Sequence, residues 1–400
     1  MTKPAPSHVN EWSAIAFKYE DLSATDLDAW RSLCRQHADY DSALLTPEFT
    51  YVIAGIRQDV RVVLVRKGDA IKAVLPIHLR PDGLARPLGT PFADYTGPVR
   101  TVDCELSLSD MLAAAGIAAF STNAMPDPWG LMEGPVEPSG KTDSHVIRVD
   151  TSNPQDLIEE QRSKHSKRFK NFRRLRNQLE REAGTLRFDW GAPDTATLAT
   201  LLEYKRAQFR QTGLVDLTSA TQSRQMLDAV ALSPYAFHTA LWLGDTLISG
   251  HFGIRVATSF HPWIAAFNPA FRHFSPGNLL LMSVLETMQD MGLETYDLAN
   301  GHDHYKKYFS NADRPVQPAW ATGKGIGALR QKLNRRVWQL VGADADNSAT
   351  GRLKRRIDQI AVSEFGAVSR LRQFGYAVLA RSLPKKVNQN NSAENLPARH

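Results

Sequence analysis

Between Ala236 and Leu298 the chain reads strand, strand, strand, helix, strand, an order that only a mixed α/β fold accommodates. Ala236–Leu243 and Thr246–Arg255 are apolar, rich in β-branched and aromatic residues, and meet at Gly244-Asp245, a hairpin turn. A third run, Ser259–Phe267, precedes Ser275-Pro276-Gly277-Asn278, which opens a helix over Pro276–Met291. Thr295–Leu298 is the last strand, and it leads into Gly301-His302-Asp303-His304-Tyr305-Lys306.

The first half repeats this order more loosely. A helix is expected over Asp21–His37, with Leu27, Trp30 and Leu33 on one face. Strands Val60–Arg66 and Ala70–Leu79 flank a Lys67-Gly68-Asp69 turn. A Pro/Gly-rich stretch runs from Pro81 to Val99, then a helix over Ser107–Asn123 and short strands at Met132–Val136 and His145–Val149. Asn153-Pro154 starts a further helical region, with one long helix at Glu160–Glu182 and others at Thr195–Gln211 and Ser219–Leu232. The expected organisation is an α/β half at 1–150, a second at 151–325, a basic helical extension at 326–387 and a disordered polar tail at 388–400.

Composition narrows the class. Two cysteines, Cys34 and Cys104, give neither a disulfide framework nor zinc spacing. Met1–Asn10 has no apolar core of a signal peptide, and the apolar run Met111–Phe120 is about half of a membrane span. A soluble, cytoplasmic protein is expected, touching a membrane at most peripherally.

Two features carry chemistry. Ser275 can cap the helix, Pro276 suits its first turn, Gly277 lets a ligand approach, and free N–H groups there favour an anion. Asp297 ends a strand, where ligands bind in open α/β sheets, and Asp303, His302, Tyr305 and Lys306 follow closely. Carboxylate or imidazole can take a proton, Tyr305 can give one, and Lys306 can hold negative charge. No metal is expected, since His302 and His304 have only Asp residues nearby.

Several elements together resemble a known family: Leu241-Trp242-Leu243-Gly244 with Ile248-Ser249-Gly250, Ala265-Ala266-Phe267-Asn268-Pro269, Ser275-Pro276-Gly277, Asp297 and Gly301–Lys306. With the Arg-rich segment Lys164–Leu179 and Ala93–Pro98, the chain is similar from Leu22 to Trp320 to GNAT-fold acyltransferases of the BioF2-like or CelD-like type, often found with bacterial polysaccharide-biosynthesis genes. The resemblance implies a tandem GNAT architecture akin to FemAB-type transferases. It implies acyl transfer, acetyl in the first instance, from acyl-CoA to an amine or hydroxyl of a sugar or glycolipid. The usual pyrophosphate motif, Arg/Gln-x-x-Gly-x-Gly/Ala, is absent, and Phe274-Ser275-Pro276-Gly277-Asn278 stands in its place.

On this reading Trp263, Ile264 and Ala265 hold the donor carbonyl, and Ser275, Pro276, Gly277 and Asn278 its phosphates. Asp303 or His302 is the base, Tyr305 protonates the leaving thiolate, Lys306 supports the loop or acceptor, and His251 is an alternative base. Asp94 and Tyr95 can line the cleft between halves. Nine Lys or Arg lie between Arg162 and Glu182, while Phe169, Phe172, Leu175 and Leu179 form one apolar stripe. Lys164, Arg168 and Arg173 are therefore acceptor- or CoA-binding candidates. From Lys324 to Lys386 there are fourteen Lys or Arg against four Asp or Glu, which suits an anionic membrane surface. Two alternatives remain: aminoacyl transfer from charged tRNA, and a non-catalytic scaffold in polysaccharide assembly.

Overall fold

The turns and caps foreseen above divide the chain into short elements. A computed structural model describes residues 12–130, 142–149, 156–212, 216–300, 305–340 and 350–351. The first part contains β1 (Trp12–Phe17), α1 (Ala24–Cys34), α2 (Pro47–Ala54), β2 (Val60–Lys67), β3 (Ala70–Leu79), β4 (Leu84–Pro87), β5 (Val99–Arg100), α3 (Leu108–Ala114), β6 (Ala119–Pro126) and β7 (Thr142–Arg148). Then come α4 (Asp156–Lys164), α5 (Ser166–Ala183), β8 (Leu186–Gly191), α6 (Thr195–Thr212), α7 (Thr221–Leu232), β9 (Ala236–Leu243), β10 (Thr246–Val256) and β11 (Ser259–Phe267). The last described elements are α8 (Pro276–Thr287), β12 (Thr295–Asn300), β13 (Ala312–Thr322) and α9 (Ile326–Leu340).

Three local expectations need correction. The helix expected over Ser107–Asn123 stops at Ala114, because Gly116 turns left-handed (φ 68°) and Ile117 N–H closes on Leu112 O at 2.8 Å. The following residues form β6 instead. The long helix at Glu160–Glu182 breaks at His165, whose ring packs edge-on against Tyr308. Thr46-Pro47 opens the unexpected helix α2, with Thr46 Oγ1 accepting the Phe49 N–H at 3.3 Å. Met132–Val136, the Asn153-Pro154 start, His302, Asp303 and nearly all of 341–400 lie outside the described residues.

Among the described residues the strands join into one sheet, in the order β1-β2-β3-β4-β6-β13-β7-β12-β11-β10-β9-β8, with β5 against β3. The boundary expected at residue 150 does not follow this sheet. β7, which precedes it in sequence, is bonded to β12 on one side and β13 on the other. β13 in turn pairs with β6.

Helices cover both faces. Leu201 and Leu202 of α6 and Met226, Leu227 and Val230 of α7 pack with α2, Phe252 and Trp263 in one core. Phe169, Phe172, Leu175 and Leu179 of α5 pack with the apolar side of α8, Phe260 and Phe309 in another. α6 lies close on β10, since a Cβ on Gly250 would sit 2.9 Å from a Leu201 methyl and from Thr239 O. β10 and β11 pair antiparallel through a bulge where only a glycine fits: a Cβ on Gly253 would meet His261 O at 2.0 Å.

Candidate active site

β11 and β12 run parallel, yet they pair only at Ser259–Thr295 and Phe260–Tyr296. Beyond that point β12 continues with β7 and β11 with β10, so the two strands fork. The fork leaves backbone polar groups of β11 without a strand partner on the β12 side. One is claimed from outside the sheet: Lys205 of α6 donates to Ala265 O at 3.2 Å. Ile264 is buried. Trp263 is also buried, stacked on Phe92 and edge-on to Phe49, but its indole N–H has no acceptor among the described residues. A buried donor without a partner costs roughly 1–3 kcal/mol, so it marks a position where a ligand acceptor is favoured.

At the root of the fork stands Tyr296. Its hydroxyl lies 2.7 Å from His251 Nδ1 and 3.0 Å from Thr239 Oγ1. Burial and the charges of Lys205 and Lys306 lower the His251 pKa to about 3, so the imidazole is neutral at physiological pH. Lys306 is buried and donates to Ala299 O at 3.4 Å. Ala299 adopts a left-handed backbone (φ 63°) at a bulge in β12, and its N–H bonds to Asp297 Oδ1 at 2.8 Å. The bulge thus turns a main-chain carbonyl toward the lysine. Lys306, expected from the sequence, is therefore near enough to His251 for its charge to act on the ring, and Tyr305 is felt electrostatically by Tyr296. Lys205 and Tyr296 were not foreseen, because nothing in their local spacing marks them.

Asp297 occupies a different environment from the one expected of a base. It is fully buried, and its Oδ2 takes hydrogen bonds from Arg314 at 2.5 Å and from the Tyr95 hydroxyl. Burial opposes its charge, but Arg314 and then His261 outweigh that and hold the carboxyl well below the usual carboxylate range. Such a group accepts no proton at neutral pH. Tyr95 is likewise enclosed rather than lining a cleft, with Ser42 Oγ 2.7 Å from its hydroxyl and the Arg314 guanidinium over its ring. Arg314 also donates to Asp39 O at 2.8 Å and Asp41 O at 2.7 Å, binding the first half's loop to the second half's strands. His261 lies between two carboxylates, with Asp94 Oδ2 2.9 Å from Nε2 and Asp297 Oδ2 3.4 Å from Nδ1. Only Asp94 reaches solvent, its side chain 35 % exposed.

At the far end of β11 a cavity of about 200 Å³ is lined by Tyr204, Gln208, Phe267, Pro269 and Arg272. Ser275 does not cap α8 as expected. It is left-handed (φ 55°) and offers no side-chain bond, although its carbonyl accepts the Asn278 N–H at 2.9 Å. Pro276 is the first helical residue, and a Cβ on Gly277 would meet open space, so room for a ligand exists there. α5 buries its four apolar residues and exposes Lys167, Arg168, Lys170, Arg173, Arg174 and Arg181, while Lys164 is exposed at the end of α4. Lys164 pairs with Glu160, and Arg168 lies over Tyr308 beside the Lys306 turn. Among the described residues no His, Cys, Asp or Glu cluster could hold a metal ion.

Residues 166–307 match the family model described as an acetyltransferase (GNAT) domain. This span contains α5, the fork and α8. The chain thus carries a GNAT acetyltransferase domain and is an acyltransferase. No curated protein matches it. Similar solved structures include the C-terminal domain of a putative lysylphosphatidylglycerol synthetase from Agrobacterium fabrum, at 12 % identity and TM-score 0.44 over 78 % of this chain and 96 % of that one. FemX is similar at 12 % identity and TM-score 0.46 over 73 % and 95 %. A tandem GNAT protein from the clavulanic acid biosynthesis pathway is similar at 11 % identity and TM-score 0.41 over 78 % and 98 %.

Proposed function

We propose that the protein moves an acyl group, acetyl in the simplest case, from acyl-CoA to an amine or hydroxyl of a sugar, glycolipid or related polysaccharide precursor. The observation that carries this reading is the fork of β11 and β12 inside the matched GNAT segment. A CoA thioester supplies an activated carbonyl carbon and a thiolate leaving group. The residues present suit such a donor: β11 offers an unpaired edge, Trp263 an unsatisfied N–H, and the α8 start the open space at Gly277. Exposed Arg272, whose carbonyl accepts the Ser275 N–H, adds positive charge close to the α8 start.

On this reading Asp303 or His302 takes the acceptor's proton, and Tyr305 gives one to the departing thiolate. Lys306 holds the turn in place through Ala299 O. His251, uncharged and bonded to Tyr296, is the alternative base. Asp297 has a positioning role on this reading, because its carboxylate is already committed to Arg314 and Ala299 N–H.

Asp303→Ala, Tyr305→Phe, Lys306→Ala and His251→Asn, made singly, test these roles through thiol release from acetyl-CoA with amino-sugar acceptors. A loss of at least ~100-fold is expected for a base. Full rates in all four would refute the assignment. Acyl-CoA should also raise the melting temperature, by an increment that grows with concentration above Kd.

The outward cationic face of α5 favours a second reading, aminoacyl transfer from charged tRNA. Salt-sensitive tRNA binding, abolished by Lys167→Glu with Arg174→Glu and coupled to aminoacyl transfer, would support it over CoA.

A further inference from the structure

α9 follows β13 and rests on the sheet by one narrow side. Ala328 and Gln331 are buried, Gln331 Nε2 donates to Asp82 O at 3.3 Å, and the Arg335 guanidinium lies over the Trp320 ring at 4.4 Å. A Cβ on Gly327 would press on the Ala118 methyl at 3.1 Å, so the helix backbone sits close to β6. The opposite side is apolar and open. Ile326, Leu329, Leu333, Val337 and Leu340 are 50–88 % exposed. At about 100° per residue these five fall within about 80° of the helix circumference. The stripe is roughly 20 Å long at about 1.5 Å per residue.

Charge selects what this stripe meets. Arg330 and Arg336 flank it, Lys324 and Lys332 are exposed nearby, and 324–340 contains no Asp or Glu. Cationic side chains beside a buried apolar stripe extend their stems along it and carry their charge outward to headgroup level. The chain's own continuation is a poor match, since 352–387 has nine Lys or Arg against two Asp or Glu and would bring like charges together. Among the described residues no helix is long and apolar enough to cross a membrane, so the stripe would lie along a surface.

We propose that α9 is a membrane-surface docking element that lays its aliphatic stripe into a bilayer containing anionic phospholipid. The inference is independent of which acyl group or acceptor is used. It places the enzyme on the surface where a lipid-linked acceptor would be presented.

Flotation of the full chain with vesicles tests it. The wild type should float with phosphatidylcholine–phosphatidylglycerol vesicles and fail to float with phosphatidylcholine alone or in high salt. Leu329→Ser with Leu333→Ser should lower the bound fraction at least ~10-fold, because two large apolar side chains no longer enter the bilayer. Arg330→Glu with Arg336→Glu should do the same through lost attraction. Both variants should melt like the wild type, since these side chains touch little of the protein. Absence of flotation with anionic vesicles overturns the proposal. So does unchanged flotation of the serine variant, whether its melting temperature falls (a stripe covered by this chain) or a dimer dissociates (a stripe covered by a second copy). Binding to polyglutamate as tight as to vesicles, and indifferent to the serine substitutions, also overturns it, because charge alone would then suffice.

Discussion

His261 is fully buried, which by itself would strip its proton, but Asp297 and Asp94 outweigh burial and raise its pKa to about 9. The folded pKa thus stands above the ordinary value of about 6.5. The linked stability is fully present below about pH 6.5 and is lost as pH rises through about 9, on the order of 3 kcal/mol in all. Denaturant titrations at several pH values should show that decline in the wild type, and His261→Gln should remove it; parallel curves would contradict the ion pair. Tyr95 and Arg314 also face this group, so the difference between the two proteins is the quantity to read. Arg314→Met should cost about 3–5 kcal/mol, because it leaves the Asp297 charge buried and unpaired. Asp297 was legible in the sequence as a residue with chemistry at a strand, but its role was not. Its partner Tyr95 lies 202 residues away, and no local pattern links them. Asp94 and Tyr95 are neighbours in a Pro/Gly-rich loop, yet the structure leaves the first partly exposed and encloses the second.

Two special backbone positions lie in the strand pairs that flank the fork of β11 and β12, and each gives a test. Gly253→Ala puts a methyl 2.0 Å from His261 O within a strand pair, where neither backbone can yield cheaply. A loss of about 3 kcal/mol or more is expected in the melting curve, and a wild-type melting temperature would disprove the close approach. Ala299 pays for its left-handed geometry with strain of roughly 1–2 kcal/mol. Ala299→Gly should therefore stabilise the fold by up to ~1 kcal/mol while keeping the carbonyl on Lys306; destabilisation would show that the methyl matters more than the angle. At this scale the sequence was legible where turn chemistry is strong. Gly244-Asp245 announced the β9–β10 hairpin, and Pro276 announced α8. It was misleading at Ser107–Asn123, where a short apolar run suits helix and strand equally and only the pairing of β6 with β13 decides. The fork itself left no trace in sequence, since it is set by where pairing stops.

One sheet runs through the whole molecule, and its order departs from the order of the chain. The mixed α/β class was visible in the repeated element order, whereas the insertion of β7 between β12 and β13 was not, because β7 and β13 are ordinary strands by composition. A fragment of residues 151–400 lacks β7, the strand between β12 and β13, and lacks the Asp39 and Asp41 carbonyls that Arg314 binds. It should fail to melt cooperatively, and adding fragment 1–150 should restore a single transition. A cooperative melt of 151–400 alone would show that its strands close without β7. The placement of β7 also sets a schedule for biosynthesis. Its two neighbours begin at Thr295 and Ala312, so after Arg148 the ribosome must add about 160 residues before both edges can pair. At ~5–20 residues per second that is roughly 8–30 s during which a central strand has no partner. Unpaired edges are where nascent chains associate wrongly. Chains stalled before Ala312 should be cleaved readily around residues 142–148, and completed chains should resist.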